Sequence, residues 1–291
     1  MTLGRRHLLT GISCFALLPA VAACRDKGKV SAEEGRANVK LLADLADKDV
    51  AEIERGLPEG AKKMAAQLAK EKDPDPRQSS AQVRSALLKM RQQVPDLGVA
   101  KSTFFAFTDE KGIAIRNDLE QDTMAGKDIV SAYPDFKKAL AGEAYVATQG
   151  AFPGTPNPAG PDKEWVAAVP VKREDRSLIG LLVTGWTYRR FAYHLQEVLK
   201  RDIQDRLMRE GEKGKMPVLY VFLFDKDAVY GARGTPPGNE KVLQSVNLVQ
   251  KTAAGPADAP LTIEDRAFGW AAARVPKLGA DVGIVVLRSE I

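Results

Sequence analysis

The spacing of apolar residues changes from a helical to a strand-like period twice, and this constrains the fold more than any other sequence feature. From residue 103 the run Thr-Phe-Phe-Ala-Phe-Thr, the turn at 109–112 and the apolar segment 113–117 predict a β-hairpin. Two short helices are predicted over 128–141, interrupted at Tyr133-Pro134. Three further strands are predicted at 143–149, 164–171 and 177–187.

The same order of elements repeats after a long amphipathic helix. That helix carries one apolar stripe and ends at Gly211 or Gly214. A hairpin at 218–230 and a helix at 240–250 follow, and then strands at 261–264, 268–275 and 282–287. We therefore predict an α+β fold in which N-terminal helices precede two tandem antiparallel-sheet lobes joined by a long helix.

The N-terminal region is predicted to be helical. Ser31 and Glu34 have the spacing of a capping box that opens a helix. Apolar residues then recur in three- and four-residue steps from Val39 to Leu57, which places them on one helix face. We favour packing of this face on the chain's own domain, and a coiled-coil dimer seam is the alternative.

The first residues have the three parts of a signal peptide: Arg5-Arg6-His7, an apolar run over 8–23, and small residues before Cys24. The apolar run is shorter than the roughly 20 residues that cross a membrane as a helix. The junction Val21-Ala22-Ala23-Cys24 resembles the lipobox of bacterial lipoproteins. This resemblance implies that Cys24 is acylated and becomes the first residue of an exported protein. The paired arginines leave the general secretory and the twin-arginine export routes both open.

These features divide the chain into six predicted segments. They are a signal peptide (1–23), a lipidated tether (24–31), an N-terminal helical region (32–95), a first lobe (96–188), a connecting helix (189–211) and a second, smaller lobe (212–291).

Few reactive side chains remain once the signal is removed. Cys14 and His7 lie within it and Cys24 is consumed by lipidation, which leaves His194 as the remaining histidine. Thiol nucleophiles, disulfides, Ser-His-Asp triads and histidine- or cysteine-based metal sites therefore lack their parts. We expect no enzyme activity, no cofactor and no metal. Loss of Arg5 and Arg6 brings the formal charge of +5 closer to balance, so we expect no nucleic-acid partner.

The first unit, over residues 25–205, is similar to the Cache family of extracytoplasmic sensor domains, which is related to the PAS fold. The second unit fits a double-Cache layout by its order of elements. The residues that carry the resemblance are 105–117 (FAFTDEKGIAIRN), 124–129 (MAGKDI), Tyr133-Pro134, 139–142 (ALAG) and 180–185 (GLLVTG).

The resemblance implies a sensory function. Members of this family commonly drive an output module in the same chain, whereas this chain ends on the strand predicted at 282–287. A separate membrane or periplasmic signalling protein is therefore expected as partner. The Tyr-Arg-Trp-Tyr-Asp pattern of the amino-acid-binding subfamily is not seen, so the resemblance does not assign the ligand.

In Cache and PAS-like domains the ligand lies between the sheet and the segment that joins strands two and three. Mapped onto this sequence, that geometry selects one arginine and six aromatic residues. Arg116 would suit a carboxylate or phosphate. The alternative is that the aromatic residues form the core and that Arg116 is solvated. The candidate ligand-binding residues are Phe105, Phe107, Arg116, Tyr133, Tyr145, Trp165 and Trp186.

Two functional hypotheses follow. The first is a small-molecule-binding sensory lipoprotein in the cell envelope, anchored by lipid to the inner or outer membrane, with its body in the periplasm or outside the cell. The second is a structural or assembly lipoprotein that uses PAS-like lobes for protein docking and binds no ligand.

Overall fold

The computed structural model describes residues 18–70, 75–99, 104–151, 162–209, 211 and 215–291. The predicted signal peptide lies largely outside these residues. The helices are α1 (Leu18–Leu68), α2 (Ser80–Gln93), α3 (Pro95–Val99), α4 (Ile129–Ala132), α5 (Phe136–Leu140), α6 (Tyr188–Arg209), α7 (Pro237–Ser245) and α8 (Leu248–Lys251). The strands are β1 (Phe104–Thr108), β2 (Ala114–Asn117), β3 (Val146–Gly150), β4 (Glu164–Lys172), β5 (Leu178–Thr187), β6 (Val218–Phe224), β7 (Val229–Gly231), β8 (Ala257–Ile263), β9 (Arg266–Arg274) and β10 (Gly283–Ser289).

The strands form two five-stranded antiparallel sheets with the same topology. The first sheet has the order β2-β1-β5-β4-β3, and the second has the order β7-β6-β10-β9-β8. In both sheets the last strand of the unit pairs with the first strand, so β5 lies beside β1 and β10 lies beside β6. This confirms the predicted α+β fold with two tandem lobes and the long helix α6 between them.

Helix α1 is the element that both lobes share. Its 51 residues give it a length of about 75 Å at a rise of about 1.5 Å per residue. Near its start, Gly35 packs against Ala271 of the second sheet, and near its end Gly60 packs against Leu182 of the first. The predicted apolar face from Val39 to Leu57 is buried in this packing. The prediction that this face packs on the chain's own domain is therefore confirmed.

Helix α1 begins earlier than the sequence predicted. It extends from Leu18, so residues 24–31 belong to the helix and do not form a separate polar tether. The hydroxyl of Ser31, expected to cap the helix, instead accepts a hydrogen bond from the backbone N–H of Glu290 at 3.2 Å. The capping box was a wrong prediction because packing on the second sheet stabilises this part of the helix.

Polar contacts also hold the first half of α1 to the second lobe. Arg288 of β10 is buried, and its Nη1 donates to Asn38 Oδ1 at 3.0 Å and lies 3.6 Å from Glu34 Oε2. Arg36 pairs with Asp258 of β8. The last strand of the chain therefore lies beside the first half of α1. No helix within the described residues is apolar over a length that would cross a membrane.

The α1 contact with β9 is close enough to exclude a side chain at one position. A Cβ atom added to Gly269 would lie 2.5 Å from the Cα atom of Ala32. The backbones of helix and strand touch here, which only glycine permits.

We predict that Gly269→Ala lowers the free energy of unfolding by about 1–3 kcal/mol, because α1 must move off the second sheet to admit the methyl group. Urea denaturation followed by tryptophan fluorescence measures the change. Gly238→Ala is the matched control, because nothing lies within 4 Å of a Cβ atom at that position. Equal stability of the two variants would contradict the close contact.

Candidate ligand-binding site

The two faces of the first sheet have different coverings. One face, here called the inner face, packs against α1 and α6 and carries Phe105, Phe107, Trp165 and Trp186. The other, here called the outer face, is covered by the segment that contains α4 and α5. The buried apolar residues of this outer layer are Phe104, Ala106, Ala114, Met124, Ile129, Val130, Tyr133, Phe136, Ala139, Val146, Val166, Ala168, Leu181 and Val183.

Four of the candidate residues lie on the inner face and form the core between the sheet and the helices. The rings of Trp165 and Trp186 stack with centroids 4.5 Å apart, and Trp186 stacks on Phe191 of α6 at 4.4 Å. Phe105 and Phe107 are fully buried in the same cluster. The prediction that these four line a cavity beneath α4 and α5 is therefore wrong about the face. These four residues instead form the core, which was the alternative interpretation of the aromatic residues.

Two more candidates also lie away from the outer layer. Tyr145 is half-buried and packs against the inner-face cluster. Arg116 lies 3.1 Å from Asp122 Oδ2, and its Nη2 donates to the carbonyl oxygens of Leu119 and Glu120 at 3.0 and 3.1 Å. The guanidinium of Arg116 thus holds the loop that follows β2. An anion at this position would compete with these contacts.

Tyr133 is the candidate that lies on the outer face. It occupies the junction between α4 and α5, is 2% exposed, and packs against Phe136 with ring centroids 5.5 Å apart. Its hydroxyl donates to Glu164 Oε2 at 2.5 Å, at the start of β4. Gly150 of β3 leaves room for the ring, since a Cβ atom there would be 2.9 Å from Tyr133 Cε1.

Asp162 adds a second carboxylate two residues before Glu164. Its Oδ1 accepts backbone N–H groups from Lys163 at 2.9 Å and from Arg189 at 3.3 Å. Together, Tyr133, Glu164 and Asp162 form a polar cluster, here called the Tyr-acid cluster, at the end of the sheet where β4 begins.

Burial raises the pKa of the acidic groups in this cluster. The pKa of Glu164 is raised chiefly by loss of solvent, opposed by the hydrogen bond from Tyr133, and raised further by the negative charge of Asp162. Loss of solvent also raises the pKa of Asp162, although the N–H of Arg189 lowers it in part. Burial, followed by the charge of Glu164, raises the pKa of Tyr133. Both carboxyl groups are therefore partly withdrawn from solvent, and each accepts hydrogen bonds that offset part of this loss.

Tyr133 was a candidate from its position in the sequence, whereas neither carboxylate was predicted. An acidic residue at the first position of an otherwise apolar predicted strand was the available signal at Glu164. Three or more metal-ligating side chains do not come together anywhere in the described parts of the chain.

No family model matches this sequence, and no curated protein matches it. Solved structures do share its fold. The extracellular domain of the putative histidine kinase vpHK1S-Z8 is 10% identical with a TM-score of 0.52, over 91% of this chain and 93% of that chain. An extracellular ligand binding receptor from Desulfohalobium retbaense is 12% identical with a TM-score of 0.51, over 86% of this chain and 39% of that chain.

The ligand-binding domain of Mlp24 with asparagine is 16% identical with a TM-score of 0.48, over 93% of this chain and 95% of that chain. The first two structures establish that this chain shares their fold. The chain spans about two fifths of the length of the Desulfohalobium receptor.

The raised pKa of Glu164 gives a pH-dependent prediction. A carboxyl group whose folded-state pKa is raised favours folding below its unfolded-state pKa and loses that contribution as the pH rises through the folded-state pKa. Wild type should therefore gain stability relative to Glu164→Gln as the pH falls from neutral towards about 4. Urea denaturation of both proteins at the two pH values measures this difference.

Glu143→Gln is the control, because Glu143 is an exposed residue of the same lobe. Its free energy of unfolding should stay near that of the wild type at both pH values. If the difference between wild type and Glu164→Gln does not change with pH, the carboxyl group of Glu164 is not desolvated as described.

Proposed function

We propose that this chain is an extracytoplasmic sensory lipoprotein whose first lobe binds a small organic cation at the Tyr-acid cluster. The main support is the position of two half-buried carboxylates, Asp162 and Glu164, at the start of β4. The hydroxyl of Tyr133, between α4 and α5, donates a hydrogen bond to Glu164. The shared fold with extracellular sensor domains supports a role in sensing.

The ligand class follows from charge. An ammonium or guanidinium group placed beside Glu164 and Asp162 would gain charge-assisted hydrogen bonds from two half-buried carboxylates. A carboxylate or phosphate would be repelled there. This replaces the anionic ligand that Arg116 suggested, because the guanidinium of Arg116 already serves Asp122 and two carbonyl groups.

The proposed ligand class can be tested by the melting temperature of the full chain in detergent, followed by tryptophan fluorescence. The test compounds are monoamines, diamines, guanidines and amino acids. Carboxylates and nucleobases serve as comparison compounds that lack the proposed cationic group. A ligand at a hundred times its dissociation constant stabilises by about 2.7 kcal/mol, which raises the melting temperature by about 5 °C. We expect stabilisation from one or more cationic compounds.

Variants then locate the site. Tyr133→Phe and Glu164→Gln should reduce the shift, because each removes a polar group of the cluster. Arg116→Gln should keep it, since Arg116 lies outside the cluster. Stabilisation by an anion that is lost in Arg116→Gln would contradict the proposal and would restore the earlier assignment.

A docking function without a ligand is the second candidate. The observation that favours it is the packing of the outer layer, where Phe104, Tyr133 and Phe136 are each less than 10% exposed. If every compound leaves the melting temperature of the folded protein unchanged, this second function is favoured. Crosslinking in membranes would then identify the protein partner.

We further propose that Cys24 carries the lipid anchor. The start of α1 lies on the second lobe, so an anchor at Cys24 would hold that lobe nearer the membrane than the first. A separate membrane or periplasmic protein would then receive the signal from the second lobe.

Lipidation predicts that Cys24→Ser moves the protein from the membrane fraction to the soluble fraction and abolishes incorporation of radiolabelled palmitate. Cys14→Ser is the matched control and should leave both unchanged, because Cys14 lies within the predicted signal. Palmitate incorporation that persists in Cys24→Ser would contradict the assignment.

A further inference from the structure

The residues at the start of β4 contact both lobes. Side chains of successive residues in a strand point to opposite faces. Glu164 points to the outer face of the first sheet, where it accepts from Tyr133. Its neighbour Lys163 instead reaches the second lobe, where its Nζ lies 2.6 Å from Asp225 Oδ2 and 3.4 Å from Asp227 Oδ2.

Asp225 organises the turn between β6 and β7. Its side chain is 3% exposed, and its Oδ1 accepts the backbone N–H groups of Asp227 and Ala228 at 2.8 and 2.9 Å. Its Oδ2 accepts hydrogen bonds from Lys163 Nζ and from the hydroxyl of Tyr230, the latter at 3.3 Å. The carboxylate of Asp225 therefore binds a residue of the first lobe and also holds the backbone of the β6–β7 turn in the second lobe.

The backbone of Lys163 is held on its other side. Its carbonyl oxygen accepts the N–H of Tyr188 at 2.7 Å, and the ring of Tyr188 meets that of Tyr230 edge-on with centroids 5.2 Å apart. Arg189, the next residue of α6, donates to both carboxylate oxygens of Glu240 at 2.5 and 3.1 Å. These directional contacts allow few independent movements of the two lobes at this junction.

The ion pair nevertheless has room to change. A cavity of about 300 Å³ lies beside it, lined by residues of both lobes. Lys163 and Asp225 therefore border open space on this side. The polar and charged lining residues are Thr148, Gln149, Lys163, Asp225, Lys226 and Asp281.

We propose that Lys163 is a positioning residue that transmits a change at the Tyr-acid cluster to the β6–β7 turn of the second lobe. Lys163 and Glu164 share one peptide bond, so a displacement of Glu164 moves Lys163 with it. A shift of about 1 Å takes a contact of 2.6 Å beyond hydrogen-bond range. Its role in sensing rests on the ligand site proposed above, whereas the mechanical coupling does not.

The test perturbs the first lobe by mutation and measures the second lobe, so no ligand is needed. Tyr133→Phe removes the hydroxyl group that donates a hydrogen bond to Glu164. Hydrogen–deuterium exchange of the full chain in detergent then reports on the amides of residues 225–231, measured in wild type, Tyr133→Phe, Lys163→Met and the double variant. Peptides over β8 at the far edge of the second sheet serve as the internal reference.

We expect Tyr133→Phe to speed exchange at 225–231 by about three- to tenfold, the effect of losing one hydrogen bond in a coupled network. The same substitution should have no further effect in the Lys163→Met background, and β8 should be unchanged throughout. Lys226→Met is the matched control, because it removes a lysine from the same turn and should leave the response to Tyr133→Phe intact.

Lys163→Arg provides a second variant if Lys163→Met does not fold. Arginine keeps the charge and a donor for Asp225, so the response should be retained. An equal response to Tyr133→Phe with and without the lysine, or no response in wild type, would overturn the proposal. Either result would leave ligand binding at the Tyr-acid cluster untouched, and the absence of any ligand would likewise leave this coupling standing.

Discussion

Burial of one continuous apolar face of α1 is the interaction on which the rest of the structure depends. The cluster that contains this face also includes Phe107 of the first sheet, Val221 of the second sheet and Leu195 of α6. Each sheet would expose its inner face to water without the helix, at a cost of roughly 25 cal/mol for each Å² of apolar surface. The lobes therefore share a core.

Periodicity was sufficient to predict the elements but not their environment. The order of strands and helices was confirmed because alternation and three- to four-residue spacing report local geometry directly. A strand pattern does not say which covering each face receives, so Trp165 and Trp186 were assigned to the wrong face. The helix predicted at 240–250 is two helices, since Asn247 adopts a left-handed conformation with φ of 55° between them. The first half of α1 packs on the second sheet, as at Gly28 and Gly35, and a local sequence pattern does not reveal contacts with strands so distant in sequence.

In the candidate site, too, local sequence pattern predicted one residue and missed another that depends on strand pairing. Tyr133 was predicted from its place in the crossing segment, whereas its partner Glu164 depends on the register of β4 against β3 and β5. Arg116 illustrates the opposite case, because an arginine that sequence reasoning gave to a ligand holds a loop instead. The acidic side chains of Asp162 and Glu164 are half-buried beside the apolar outer layer, a position that the pattern of aromatic residues did not predict.

Because α1 and the junction around Lys163 connect the two lobes, we expect the lobes to unfold together. Differential scanning calorimetry of the full chain tests this most directly. The account predicts one transition whose calorimetric and van't Hoff enthalpies agree, since neither lobe keeps a covered inner face when the other unfolds. Two separate transitions, or a calorimetric enthalpy well above the van't Hoff value, would show that the lobes unfold independently and would contradict the shared core.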